Sequence, residues 1–339
     1  MGAMDNYVNP LPGVPLVESP FFGELFDPAD PRYRIAADLR GNGFAVIDFP
    51  DEEVDVMAAR IKQDMHRYYD WDSWYAGQAD MRYMDAWRIN ADVRRIACNA
   101  KVLDLLNYLY GRPAFPFQTL NFPVGTQQHF HTDAVHFSSL PERFMCGVWL
   151  ALEDIGPEQG PLLYYPGSHK WPILTRQHIG QRYRVESGRH QSIFEPMWER
   201  LVDIHGVQPE RFCPRQGQAL IWATNLLHGG DAHRDLRQTR WSQVTHYYFE
   251  DCVYYTPLAS NEPAGEYFGR SPIDIRTELE RPSSYLGESV GQWSDPRESD
   301  HWVRFDKESY LANNPDVAAS GWDAWEHYRQ FGHQEKRVW

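Results

Sequence analysis

Three side chains in this sequence have the types and the spacing of a metal site. His131 and Asp133 stand two apart in QQHFHTDAVHF, residues 127–137. If that stretch is a strand, alternate side chains share a face, and the two point the same way roughly 7 Å apart at the backbone. An imidazole nitrogen and a carboxylate oxygen can then converge on one ion. A third ligand must arrive from a distant strand with small neighbours. His228 does so, ending the apolar run of GQALIWATNLLHGG ahead of Gly229 and Gly230. Two histidines and one carboxylate on one face of an octahedron leave three positions open, the arrangement of non-haem Fe(II) oxygenases. Zinc more often sits in a closed site, or uses three histidines and one water. A His-x-Asp pair alone is a weak motif. The competing histidines have plainer readings. His233 lies in the charged turn DAHRD, and His246 alternates along a later strand as a core or pocket residue. His129 falls on the ligand face and His136 on the other, both as lining or hydrogen-bonded partners, and His169 belongs to the turn PGSHK.

The chemistry makes a further demand. An oxygenase that consumes 2-oxoglutarate must hold that molecule's far carboxylate, and a planar guanidinium does this through two parallel hydrogen bonds. Arg240 opens the strand after the His228 turn, while Arg234 and Arg237 lie in the turn itself and are the alternatives. Without the rest of the pattern Arg240 would read as a surface ion pair, worth little.

These residues need a scaffold that brings distant strands together. From residue 115 onward, short aromatic, β-branched and leucine-rich runs alternate with Gly and Pro turns: FPFQTLNF, QHFHTDAVHF, FMCGVWLALEDI, GPLLYYPGSH, QALIWATNLLHGG and RWSQVTHYYFED. Most have no helical pattern between them, which argues for an antiparallel barrel or jelly roll and against a βαβ sheet. A polar insert, 173–215, is expected to be a lid or loop over one end of the barrel. Upstream, GFAVIDFP (43–50) reads as a buried strand. Asp51 is expected to cap a helix with Val54, Met57, Ile61, Met65 and Tyr68 on one face. AKVLDLLNYLYG (100–111) reads as a second helix closed by Gly111. Six prolines between residues 9 and 32 predict an extended arm with no helix. The tail 305–339 reads as helical, with Trp322, Trp325 and Phe331 sharing a face and Gly332 ending the run.

Composition sets the outer bounds. The 339 residues can bury one large core with a smaller appendage. With 42% hydrophobic and 14% aromatic residues, the chain is not of a disordered class. A formal charge of −14, with no long basic run, argues against nucleic acid or an anionic membrane as the main partner. Four scattered cysteines, Cys98, Cys146, Cys213 and Cys252, have neither zinc-knuckle nor disulfide-frame spacing. No apolar run reaches the roughly 20 residues of a membrane span, and MGAMDNYVNP lacks the pattern of a secretory signal. A soluble cytoplasmic protein is the expectation, its oligomeric state open.

Residues 40–255 resemble the phytanoyl-CoA dioxygenase family of Fe(II)- and 2-oxoglutarate-dependent oxygenases. The likeness rests on GNGFAVID, then HTD at 131–133, VWLALEDI (148–155), GPLLYYPGSHK (160–170), LLHGG and TRWS, in that order. It implies a mainly β fold with flanking helices around a double-stranded β-helix (jelly-roll, cupin-like) core. It implies iron on His131, Asp133 and His228, and the 2-oxoglutarate 5-carboxylate on Arg240, although HRDLRQTR departs from the family pattern and keeps Arg237 in play. Gln128 stands where related members hold the co-substrate with a Gln three before the first ligand. Trp149 is placed on a core strand beside the pocket, and Gln118 and Asn121 on the preceding strand are weaker cofactor-side candidates. Retention of Asp133 favours hydroxylation of an unactivated C–H bond, since related halogenases replace this carboxylate by a small residue. The substrate expected is a small molecule, a sugar or amino-acid derivative, with O2 as the second co-substrate and succinate and CO2 released. The alternatives are a cupin-type metal isomerase or hydrolase, or a non-catalytic jelly-roll binding protein in glycan assembly. YLANNPDVA and HYRQFG in the tail resemble a short module of bacterial surface-polysaccharide assembly proteins. The expected organisation is an arm (1–39), a dioxygenase domain (40–280), a linker (281–304) and a small helical module (305–339).

Overall fold

The computed structural model describes residues 9–77, 81–184, 190–290, 306–332, 335, 337 and 338. The chain forms two units, residues 1–292 and 293–339. The larger is built on a six-stranded antiparallel sheet. Its strands are β1 (Phe44–Asp48), β2 (Tyr83–Met84), β3 (Ala114–Phe122), β5 (Met145–Ala151), β8 (Gln218–Ala223) and β10 (Ser242–Phe249), with β4 (Ser138–Leu140) lying outside it. Their spatial order is β1-β8-β5-β10-β3-β2. A second sheet holds β7 (Glu210–Phe212), β6 (Leu162–Tyr164) and β9 (His228–Gly230), in that order, while β11 (Val253–Tyr255) pairs with β4. Every residue of β5 and β10 is buried, as expected of central strands covered on both faces. The core is therefore the double-stranded β-helix.

One face of the large sheet is covered by helices. These are α3 (Val54–Met65), α5 (Ala91–Ala97) and α6 (Ala100–Tyr110). Met57, Ile61, Val93 and Leu106 join Phe115, Cys146, Val148 and Tyr247 in the principal apolar core. The ends of α6 follow from its sequence. The Asn99 side chain accepts hydrogen bonds from the Lys101 and Val102 amides, and Gly111 takes the left-handed conformation at φ 76°. The opposite face of the sheet is left open to a cavity.

Several expectations are corrected. The expected arm (1–39) is not wholly extended, because α1 (Phe22–Leu25) lies within it and α2 (Tyr33–Asn42) begins before its end. The prolines stop at Pro31, and Ala36 and Leu39 then bury one helical face up to the left-handed Gly43. Asp51 caps no helix; its carboxylate takes the Glu53 amide, and α3 starts at Val54. Met57, Ile61 and Met65 are buried as predicted, but Tyr68 sits in a following turn, 43% exposed. Between these elements, α4 (Trp71–Tyr75) is capped by Asp70. The 173–215 insert is more than a loop, since α7 (Glu195–His205) forms in it. Phe194 and Trp198 give that insert its own apolar face against Val135 and Leu227. Of the expected 281–304 linker, the described part ends at residue 290 and contains a small hairpin, Ser284–Tyr285 with Glu288–Ser289.

The smaller unit has α8 (Lys307–Asn313), α9 (Pro315–Ser320) and α10 (Ala324–His327), packed on Tyr310, Val317, Ala324 and Tyr328. Trp322 and Phe331 meet edge to face, but Trp325 packs on that small core and not beside them. Gly321 in the left-handed region ends α9 and turns the chain between them.

Candidate metal centre and cofactor pocket

His131 and His228 are neighbours through their backbones. The His131 amide donates to the His228 carbonyl at 2.8 Å, and the His228 amide donates back to the His131 carbonyl at 2.9 Å. This pair of hydrogen bonds places side by side two rings 97 positions apart in sequence. Gly229 and Gly230 permit it, because a Cβ on either would lie within 3 Å of the Gln127–Phe130 backbone or the Thr126 hydroxyl. The predicted strand through residues 127–137 is not formed. His131 makes one isolated bridge, and Asp133 opens a short 3₁₀ turn, Asp133–Val135. The Ala134 amide, donating to the Thr224 carbonyl, ties that turn to the end of β8. A turn, not strand alternation, aims the carboxylate. For the same reason His136 is not on an opposite face but lines the same cavity as His131.

The ligand atoms of His131, Asp133 and His228 lie within 4.8 Å of one another, and all three residues are buried. Asp133 Oδ1 is 3.9 Å from the Nε2 of each histidine. Nδ1 of His131 faces the His129 carbonyl at 3.0 Å, and Nδ1 of His228 faces the Leu226 carbonyl at 2.9 Å. A carbonyl only accepts, so each Nδ1 carries a proton, and Nε2 is the ring nitrogen that faces the shared centre. Burial, then the neighbouring His228, hold His131 well below the ordinary histidine range, so it is neutral and ready to ligate. Burial alone would raise the Asp133 pKa, but His228, His246, His131 and a hydrogen bond from Trp222 outweigh it and bring it to about 2. An ionised carboxylate and two imidazoles, each oriented by a backbone carbonyl, make a donor set that fits Fe(II). Among the described residues no other three His, Cys, Asp or Glu groups converge in this way.

The large sheet supports this centre with one lateral row. Gln118 on β3 pairs with His246 on β10, His246 with Gly147 on β5, and Gly147 with Trp222 on β8. Trp222 donates its indole N–H to Asp133 Oδ2 at 2.7 Å. His246 Nδ1 meets Gln118 Oε1 at 2.9 Å, and its Nε2 lies 3.6 Å from the same Asp133 oxygen. Burial brings the His246 pKa down to about 4.

All of these open onto a cavity of about 620 Å³ lined by both sheets and by the insert. Arg240 lies at its wall, 2% exposed. Its Nε donates to the Gly160 carbonyl at 3.0 Å and its Nη1 to Ser242 Oγ at 2.9 Å. The guanidinium rests over Trp149, 5.3 Å from the ring centroid. It has no carboxylate in ion-pair range among the described residues, and burial, partly offset by Glu153, brings its pKa only to about 10, so it stays charged. Arg237 is different. It is exposed and forked onto Asp235 at 2.9 and 3.0 Å.

Gln118, Gln128 and Trp149 line the cavity, whereas Asn121 does not. Its odd offset from Gln118 turns it to the helix-covered face, where its amide donates to Gln243 Oε1 at 3.4 Å. The Gln128 amide reaches Gln191 Oε1 at 3.1 Å, and His136 Nε2 meets the same oxygen at 3.0 Å. Arg82, His190, Gln191 and Glu195 were not foreseen as lining. Tertiary proximity alone reveals them, of Arg82 from just ahead of β2 and of the other three from the insert. Trp222 as the Asp133 partner was not foreseen either; the glycine inside β5 was the available signal, since an interior strand glycine marks a close approach.

The family model described as Phytanoyl-CoA dioxygenase (PhyH) matches residues 39–239. A probable phytanoyl-CoA dioxygenase of Caenorhabditis elegans is 28% identical over 152 residues, covering 39% of this chain and 43% of the relative. An ectoine dioxygenase of Sphingopyxis alaskensis is 24% identical over 149 residues, covering 41% of this chain and 48% of its own length. The chain thus spans less than half the length of these curated relatives. The solved structure of EctD from S. alaskensis with bound Fe superposes with a TM-score of 0.55 at 18% identity, covering 81% of this chain and 92% of that one. At that identity the likeness concerns the fold.

Proposed function

This chain belongs to the phytanoyl-CoA dioxygenase family, and from that premise we propose that it is an Fe(II)- and 2-oxoglutarate-dependent dioxygenase hydroxylating a small polar molecule. One observation carries the reading: two histidine Nε2 atoms and a carboxylate oxygen face the same cavity as a buried, charged guanidinium with no ion-pair partner among the described residues. A metal isomerase or hydrolase has no use for that guanidinium, and a binding protein has no use for the ligand set.

His131, Asp133 and His228 would hold the iron, and Arg240 would take the 5-carboxylate of 2-oxoglutarate, seated by Gly160, Ser242 and Trp149. When bound, iron and 2-oxoglutarate supply with O2 the oxidant that replaces a substrate hydrogen by hydroxyl, giving succinate and CO2. The chain's own work is to bind, orient and exclude water. Gln128, His129, His136, Gln191 and Glu195 give the outer cavity polar walls, and its volume suits a small ligand. A sugar or amino-acid derivative fits those walls better than a highly anionic acyl-CoA, given the chain's charge of −14. Adding Fe(II) and then 2-oxoglutarate without oxygen should give a weak visible charge-transfer band; no band at saturating protein would sink the proposal. Candidate substrates can then be ranked by how much they stimulate succinate release.

A further inference from the structure

Trp222 touches two of the three candidate ligands. Its N–H is spent on Asp133 Oδ2, and its ring lies against His228, tilted by 37° with centroids 4.7 Å apart. Oδ2, so held, is turned toward Trp222 and His246, while Oδ1 alone faces the two Nε2 atoms. A carboxylate can give a metal one oxygen or two. If Asp133 gave two, it would fill one of the three positions that the co-substrates need. A hydrogen bond to an ionised acceptor is strong enough to bias that choice.

The sheet shows what it takes to put an indole there. Gly147 is the cross-strand partner of Trp222, and a Cβ built on it would stand 2.3 Å from Cε2, 2.4 Å from Cζ2 and 2.7 Å from Nε1 of the indole. The indole occupies the space that any other residue at 147 would fill. Every other residue of β5 carries a buried side chain, so the one glycine marks where the indole crosses the strand.

We propose that Trp222, seated over Gly147, is a positioning residue that keeps Asp133 Oδ2 off the metal, so that three coordination positions stay open. This rests on the ligand assignment above. Mn(II) bound to the otherwise unliganded protein reports the open positions directly, because inner-sphere water at each one relaxes the solvent protons. Wild-type protein should show three exchangeable waters per bound ion. Trp222→Phe, which keeps an aromatic ring but removes the N–H, should show two, a fall of about one third in the inner-sphere effect for three positions becoming two. Gly147→Ala, which keeps the indole but displaces it, should show the same fall, and the double variant should fall no further than either single one. A merely space-filling Trp222 would alter the melting temperature of the metal-free protein and leave the water count at three. Three waters in both single variants overturns the proposal. Should Trp222→Phe not be recovered folded, Gly147→Ala alone decides it on the same count. Saturable Mn(II) binding by wild type and its loss in His228→Ala are the separate check on the ligand assignment. If either fails, both readings fall together, whereas a count of three with those two intact removes only the role of Trp222.

Discussion

The two halves of the site are held in different ways. Residues 127–137 bring His131 and Asp133 without a regular strand, on one isolated bridge, a 3₁₀ turn and side-chain latches to the insert. By contrast, β8, β9 and β10 bring Trp222, His228 and His246 on strands paired within the two sheets, and Arg240 just ahead of β10. Sheet-borne groups are fixed by ladders that a single substitution does not undo. A segment stitched by side chains can adjust to what enters the cavity, and its aim depends on a few hydrogen bonds.

That contrast can be broken at graded strength. Asp133→Ala and His228→Ala each remove a ligand, one from each half. Both should abolish Fe(II)-dependent succinate release, and normal turnover in either would overturn the ligand assignment. Next comes the clamp: Arg240→Ala should raise the KM for 2-oxoglutarate about 10–100-fold, the worth of a charge-assisted hydrogen-bond pair. Arg237→Ala, on an exposed side chain, should leave that KM unchanged, and the reverse pattern would move the clamp to Arg237. Gln191→Ala cuts the two latches to Gln128 and His136, each worth about 0.5–1.5 kcal/mol, and leaves the His129–Glu199 contact. It should lower the melting temperature by a few degrees and raise substrate KM more than 2-oxoglutarate KM. Equal effects on the two would mean that the segment is not separately held. The smallest effect belongs to Asn121→Ala, which removes one buried hydrogen bond on the helix-covered face. About 1 kcal/mol of stability should be lost with no change in 2-oxoglutarate KM, and a changed KM would return Asn121 to the cofactor side.

The ligand types were legible because iron chemistry restricts them. The demands of coordination pick His131, Asp133 and His228 from a sequence with fourteen histidines, and carboxylate binding points to Arg240 with Arg237 as the alternative. Most of the strand runs, though not QHFHTDAVHF, and the Gly111 end of α6 were legible too, because alternation and a terminal Gly act locally. Asn121 failed for a reason of parity. Placing two candidates three apart on one strand ignores that odd offsets change faces. The helix α2 was masked by the prolines just before it, and α7 by the polar surface of an insert whose apolar residues face a partner that the sequence does not display.

Which groups can do the chemistry is written in residue type, which fixes ligand softness, charge and hydrogen-bonding capacity. How those groups meet is set by tertiary contacts. The His131–His228 backbone pair, the turn that aims Asp133 and the glycine that admits Trp222 all depend on contacts between segments far apart in the chain, and no local pattern encodes which distant backbone will lie alongside.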